Sequence, residues 1–211
     1  MKIKVFEFSP IQENTYVLYD DSNSCIIIDP GCYFDYEKEA LVQFIDESSL
    51  KPMMLINTHC HLDHVFGNKF IAEKYNLIPQ IHKNEQSLLD MAPASGLMYN
   101  LPFDNYQGEL IYLEDGQKIS FGSDILEVIL APGHSPGSLC FYNEKYGFLI
   151  GGDVLFQNSI GRTDLPGGDY ETLIRSIKER ILVLPDQTIV YSGHGPSTTV
   201  GRERMNNPFL Q

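Results

Sequence analysis

The stretch Thr58-His59-Cys60-His61-Leu62-Asp63-His64 sets three imidazoles and a carboxylate within six consecutive positions, a concentration of ligand chemistry that any fold of this chain must serve. Histidine is the commonest side-chain ligand for transition metals, and imidazole combined with carboxylate suits zinc, iron or manganese better than calcium or magnesium. Residues 51–57 (KPMMLIN) precede it as an apolar run with the length and flanks of a buried strand. The ligands are therefore expected on the loop leaving that strand's carboxyl end, where open α/β sheets gather their ligands.

The rest of the chain is constrained by what such a strand needs around it. At 211 residues, with 43% hydrophobic and 20% charged side chains, the chain is long enough for one well-cored domain spanning residues 1–211. Its formal charge of −13 disfavours nucleic acid, and no basic patch offsets it. Bound dications would neutralise part of it, so an anionic small substrate stays admissible. No window reaches the apolar length of a membrane span, and residues 1–7 alternate like a strand rather than a signal peptide, so a cytoplasmic protein is expected. Cys25, Cys32, Cys60 and Cys140 lack paired metal spacing and are expected as buried free thiols. Oligomeric state is not readable from the sequence.

Residues 2–8, 14–19 and 24–29 read as strands separated by turn signals. Residues 35–47 put Ala40, Leu41, Phe44 and Ile45 on one helical face and cross back to strand 51–57. Helix 66–76, strand 78–82 and a helical pattern over 84–92 follow. Residues 91–107, rich in Pro, Gly, Met and aromatics without a clean period, read as a loop that can wall a substrate cleft. Strands are expected at 110–113, 117–121, 124–130, 138–142 and 147–152, with Gly116 and Gly122-Ser123 as turns. The clearest amphipathic helix is 170–182, with Leu173, Ile174, Ile177 and Ile181 on one side; strand 187–192 and a short helix near 198–206 close the chain. This order implies two mixed sheets face to face with helices outside, an α+β or α/β chain in four layers.

Three further candidate ligands each follow an apolar run and sit beside glycine: His134 in Ala131-Pro132-Gly133-His134-Ser135-Pro136-Gly137, Asp153 in Gly151-Gly152-Asp153, and His194 in Ser192-Gly193-His194-Gly195. Glycine lets a short loop approach a site closely. Asp29, Thr58 and Ser192 are candidates to hydrogen-bond the outward imidazole nitrogens.

Together, THCHLDH, APGHSPGS, GGDVLF and SGHG resemble the metallo-β-lactamase fold superfamily, and within it the single-domain glyoxalase II-like hydrolases. The resemblance covers nearly the whole chain and implies a four-layer αββα sandwich. It also implies two divalent metal ions, zinc first and iron or manganese as alternatives. His59, His61 and His134 would bind one metal, Asp63, His64 and His194 the other, and Asp153 would bridge them. The implied reaction is hydrolysis of a small-molecule thioester such as S-lactoylglutathione by a metal-bridging hydroxide, with Asp63 also orienting the water. An aspartate at position 153 speaks against the β-lactamase branch. Arg162, in Gly161-Arg162-Thr163-Asp164, falls where glyoxalase II places a basic residue near its substrate's glutathione part, although pairing with Asp164 or Asp169 is the plainer role. The additional helical domain of the full-length enzyme, which supplies much of its glutathione site, has no counterpart here. GRTD is also similar to a motif of the persulfide dioxygenases, in which His59, His134 and Asp153 would form a single iron site. Lactonases and a metal-binding protein without turnover remain as weaker alternatives.

Overall fold

The computed structural model of the protein describes residues 1–122 and 124–211; Ser123, half of the expected Gly122-Ser123 turn, lies outside the described residues. The chain divides into two compact units, Met1–Tyr112 and Leu113–Gln211.

In the first unit, β1 (Lys2–Phe8), β2 (Glu13–Tyr19) and β3 (Ser24–Ile28) form an antiparallel meander. Helix α1 (Asp35–Glu47) crosses over to β4 (Lys51–Ile56), which pairs parallel with β3. The helix starts where Glu37 turns back to accept the N–H groups of Tyr33 and Phe34, at 2.8 and 3.0 Å. Its buried face, Leu41 and Ile45, packs with Val17, Ile27, Leu55 and Ile71. Two helices follow β4, α2 (Leu62–Val65) and α3 (Asn68–Tyr75), and then β5 (Pro79–His82), parallel to β4.

Two expectations are corrected here. The helix expected over 66–76 is α3, but a further short helix, α2, precedes it, so Asp63 and His64 sit on a helix rather than on a loop. The Gly67 N–H donates to the Pro30 carbonyl at 2.7 Å instead of continuing α2. The loop expected over 91–107 is helical as far as Met98, in α4 (Gln86–Met98). Pro93 lies inside that helix and has no N–H for the Leu89 carbonyl; the Asn105 side-chain amide donates to it instead, at 2.6 Å. Strand β6 (Ile111–Leu113) ends the six-stranded order β1-β2-β3-β4-β5-β6.

In the second unit, β7 (Lys118–Phe121), β8 (Asp124–Leu130), β9 (Leu139–Asn143) and β10 (Phe148–Gly152) run antiparallel. A two-stranded hairpin, β11 (Leu155–Phe156) and β12 (Ser159–Ile160), precedes α5 (Tyr170–Ser176), whose helical path continues through a wider turn at Ile177–Ile181. Strand β13 (Ile189–Ser192) then joins β10 in parallel; β14 (Thr198–Thr199) pairs antiparallel with it and leads into α6 (Val200–Asn206). The sheet order is β14-β13-β10-β9-β8-β7. Leu173, Ile177 and Ile181 pack on Ile129, Cys140, Leu149 and Val190, as the amphipathic pattern requires.

Both units thus use helical crossovers between parallel neighbours, β3-α1-β4 and β4-α2-α3-β5 in the first and β10-α5-β13 in the second. Among the described residues no helix is long and apolar enough to cross a membrane.

Candidate metal centre

In the first unit the carboxyl ends of the parallel neighbours β3 and β4 carry Asp29 and Thr58-His59. The Asp29 N–H is tied to the Ile56 carbonyl at 2.9 Å, which fixes one strand end against the other. Asp29, buried, accepts from the Thr58 N–H at 2.7 Å, from the Thr58 hydroxyl, and from His64 Nδ1 at 3.0 Å. Because the Thr58 proton goes to Asp29, its oxygen is left to accept from His59 Nδ1, at 3.0 Å. Both imidazoles therefore carry their proton on Nδ1 and turn Nε2, with its lone pair, the other way. Asp29, His59 and His64 offer donor atoms within 4.8 Å of one another. With Asp29's oxygens already accepting these protons, we place it behind the histidines as their orienting group. The His59 ring centroid lies 4.0 Å from that of His64 and 4.7 Å from that of His61, which precedes the first turn of α2. Asp63, 7% exposed, stands on that turn with Oδ2 3.8 Å from His64 Nε2.

The second unit assembles its part from three separate strand ends. Strands β8, β10 and β13 all point the same way in their sheet, so His134, Asp153 and His194 leave from one edge of it. Nε2 of His134 and Nε2 of His194 each stand 3.6 Å from the same oxygen, Asp153 Oδ2. Donors bonded at about 2.1 Å to one zinc-sized ion in tetrahedral array lie about 3.4 Å apart, so this spacing is that of co-ligands. His134 Nδ1 faces the Arg162 backbone carbonyl at 2.8 Å, and a carbonyl only accepts, so this histidine too keeps Nε2 for a ligand. Glycine is required at position 161, where a methyl group would overlap the Asp153 carbonyl oxygen and crowd His134 Cβ.

The donor set fits a metal: imidazoles with carboxylates, the outer nitrogens of His59, His64 and His134 engaged by a hydroxyl, a carboxylate and a carbonyl respectively.

The remaining expectations place as follows. Arg162 forms a bidentate pair with Asp164, at 2.7 and 2.8 Å, which holds the Asp164 carboxyl down to about 2. Ser192 Oγ donates to the Leu155 carbonyl at 2.6 Å. The four cysteines are buried free thiols; burial pushes the Cys60 thiol well up, and the side chain packs with Val65, Ile81 and Leu89.

Sequence reasoning missed Glu13. This fully buried acid accepts from the Thr15 hydroxyl at 2.8 Å and has Oε1 3.9 Å from His64 Nδ1. Burial pushes its carboxyl well above the ordinary range, against the opposing pull of His64. The available signal was an acid opening a strand otherwise apolar enough to be buried.

Histidines and carboxylates gathered at the carboxyl ends of strands in an α+β chain are the arrangement of a metal-dependent enzyme. The chain belongs to the metallo-beta-lactamase superfamily of metal-dependent hydrolases, whose family model it matches over residues 9–194. It is 40% identical over 212 residues to the probable metallo-hydrolase YqgX of Bacillus subtilis, covering all of this chain and 98% of the relative. It is 36% identical over 212 residues to the hydroxyacylglutathione hydrolase GloC of Haemophilus influenzae, with the same coverage. Among solved structures it is similar to the BLEG-1 B3 metallo-beta-lactamase, at 39% identity and a TM-score of 0.91 over the whole of both chains. It also resembles TTHA1623 in a di-iron-bound form, at 35% identity and a TM-score of 0.90 over 98% of this chain and all of that one. The metallo-β-lactamase fold expected from the motifs is thereby shown.

Proposed function

We propose that this chain is a cytoplasmic thioester hydrolase of the glyoxalase II type, acting as one domain, with S-lactoylglutathione the first substrate to test. The observation that carries the reading is the fixed tautomer of His59, His64 and His134, each with Nδ1 engaged and Nε2 directed to a ligand. Likeness to GloC, named for hydroxyacylglutathione hydrolysis, supports the substrate class.

His59, His61, Asp63, His64, His134, Asp153 and His194 would hold two divalent ions, zinc first. Bound there, such ions activate a water as nucleophile and polarise the scissile carbonyl. Asp63, buried on its short helix, would both bind metal and orient that water. A thiolate departs without a strong general acid, so the chain needs none. Arg162, paired with Asp164 through Nε and Nη2, supplies an exposed guanidinium for a substrate carboxylate or amide oxygen.

The test is metal content per chain, followed in the same sample by S-lactoylglutathione hydrolysis. About two metals per chain with thioester turnover is expected. One iron per chain, no hydrolysis, and oxygen consumption on glutathione persulfide would overturn the reading. The likeness to BLEG-1 favours a second reading, β-lactam hydrolysis, and a chromogenic cephalosporin assayed in parallel decides between the two.

A further inference from the structure

Glu203 lies in α6 of the second unit and is fully buried, and its carboxylate is not the group that caps the start of that helix. The helix is capped by Thr199, whose hydroxyl oxygen accepts from the Arg202 N–H at 3.3 Å. Glu203 reaches the hairpin turn at Asn158 and the strand residue Thr198, as well as Asn207 at the far end of its own helix. Its Oε1 accepts from the Thr198 hydroxyl, and its Oε2 accepts from the Asn158 N–H at 2.8 Å and from Asn207 Nδ2 at 2.9 Å. Asn207 adds a bond from Nδ2 to the Ser159 carbonyl, at 2.9 Å.

The positions of these partners matter. Asn158, at φ +57°, is the turn of the β11-β12 hairpin that carries the chain from Asp153 to Arg162, whose carbonyl orients His134. Thr198 opens the strand that returns from the His194 loop. The near sides of both loops are already joined, by the Gly193 N–H to the Gly152 carbonyl at 2.8 Å and by Ser192 Oγ to the Leu155 carbonyl. Glu203 joins their far sides. One buried carboxylate is thus the common acceptor for the loops that present Asp153 and His194 and that orient His134.

We propose that Glu203 is a positioning residue for the metal centre, holding the Asp153-to-Arg162 and His194-to-Thr198 loops so that the three ligands keep their spacing. This rests on the reading of His134, Asp153 and His194 as metal ligands. Glutamine is a poorer substitute, because it loses the charge that strengthens these bonds, and its amide nitrogen, set toward Thr198, has to reverse the hydroxyl's bond.

The test loads the full-length chain with zinc and challenges it with a chromogenic chelator, for wild type, Glu203→Gln and Ile181→Ala. Ile181, fully buried in the turn that continues α5, serves as a control that lowers Tm in the same unit without removing a hydrogen bond of either loop. Glu203→Gln is expected to bind zinc about 10- to 100-fold more weakly, the usual range for lost outer-sphere partners, while Ile181→Ala keeps wild-type affinity. Equal zinc affinity in Glu203→Gln and wild type, with only Tm lowered, overturns the proposal. Wild type that binds no zinc, iron or manganese overturns the metal reading itself and this proposal with it. If Glu203→Gln does not fold, Thr198→Val removes one donor to the clamp at nearly constant volume. A several-fold weakening is then expected, and unchanged affinity overturns the idea.

Discussion

The two units place their proposed metal ligands by opposite means. In the first, the ligands are nearly contiguous, His59 to His64, and the group that orients them is a side chain, the Asp29 carboxylate acting directly on His64 and through Thr58 on His59. In the second, the ligands come from three distant strand ends and are oriented mainly by backbone: the Arg162 carbonyl on His134, the Gly152 carbonyl on Gly193, and the close approach that Gly161 permits. A contiguous motif tolerates adjustment, because its spacing is covalent. A dispersed one depends on where loops lie, so its weak points are glycines and carbonyls.

The largest effect should therefore come from a single methyl group in the second unit. Gly161→Ala forces the Asp153 backbone to move, and a displacement near 1 Å in a catalytic array costs about 100-fold in rate. The expected outcome is a loss of kcat of that order with a folded chain by circular dichroism; wild-type kcat would mean that the Asp153 loop is not rigidly placed. Next comes Asp29→Ala in the first unit. It strands the buried Thr58 N–H and His64 Nδ1–H, at a cost of about 3 kcal/mol by urea denaturation. It should also weaken metal binding about 10-fold or more. If Asp29→Ala left metal affinity untouched, the view of Asp29 as the orienting group would fall.

The same contrast explains what could be read in the residues. The histidine-rich loop and the glycine-flanked ligands announced themselves, and β1, α1 and β4 begin and end within a residue of the apolar and alternating runs that predicted them. Glu13 and Glu203 gave little warning, because the donors that stabilise a buried acid are recruited from distant loops. Backbone acceptors such as the Arg162 carbonyl have no residue-type signature at all. Arg162 was singled out for its guanidinium, whereas its carbonyl is what orients His134.

Helix α4 is the plainest case of a distant residue overriding local sequence. Pro93 argued for a loop, but Asn105 supplies the donor that the ring lacks. Asn105→Ala should cost about 1–2 kcal/mol by leaving the Leu89 carbonyl unsatisfied. In Pro93→Ala the new N–H can serve that carbonyl, so the Asn105→Ala penalty should nearly vanish in that background. A double-mutant cycle by urea denaturation measures the difference, and strictly additive effects would show that Asn105 does not replace the missing bond.

The smallest effect is expected at Arg162, whose side chain is 57% exposed. Asp164 titrates at about 2 in the folded chain against an ordinary 3.8, chiefly because it accepts from Arg162. A depressed carboxyl contributes stability that is present above about pH 4 and fades as the pH falls through about 2. Arg162→Met should therefore unfold slightly more easily than wild type at neutral pH and converge with it in strong acid, with added salt narrowing the gap. Kinetics separate this loop pairing from a substrate role. Contact with a substrate carboxylate in ground and transition state alike raises KM in Arg162→Met and leaves kcat unchanged. The rise should disappear for a thioester whose thiol part is uncharged. A KM insensitive to that charge would assign Arg162 wholly to the loop, with its carbonyl on His134 and its guanidinium on Asp164.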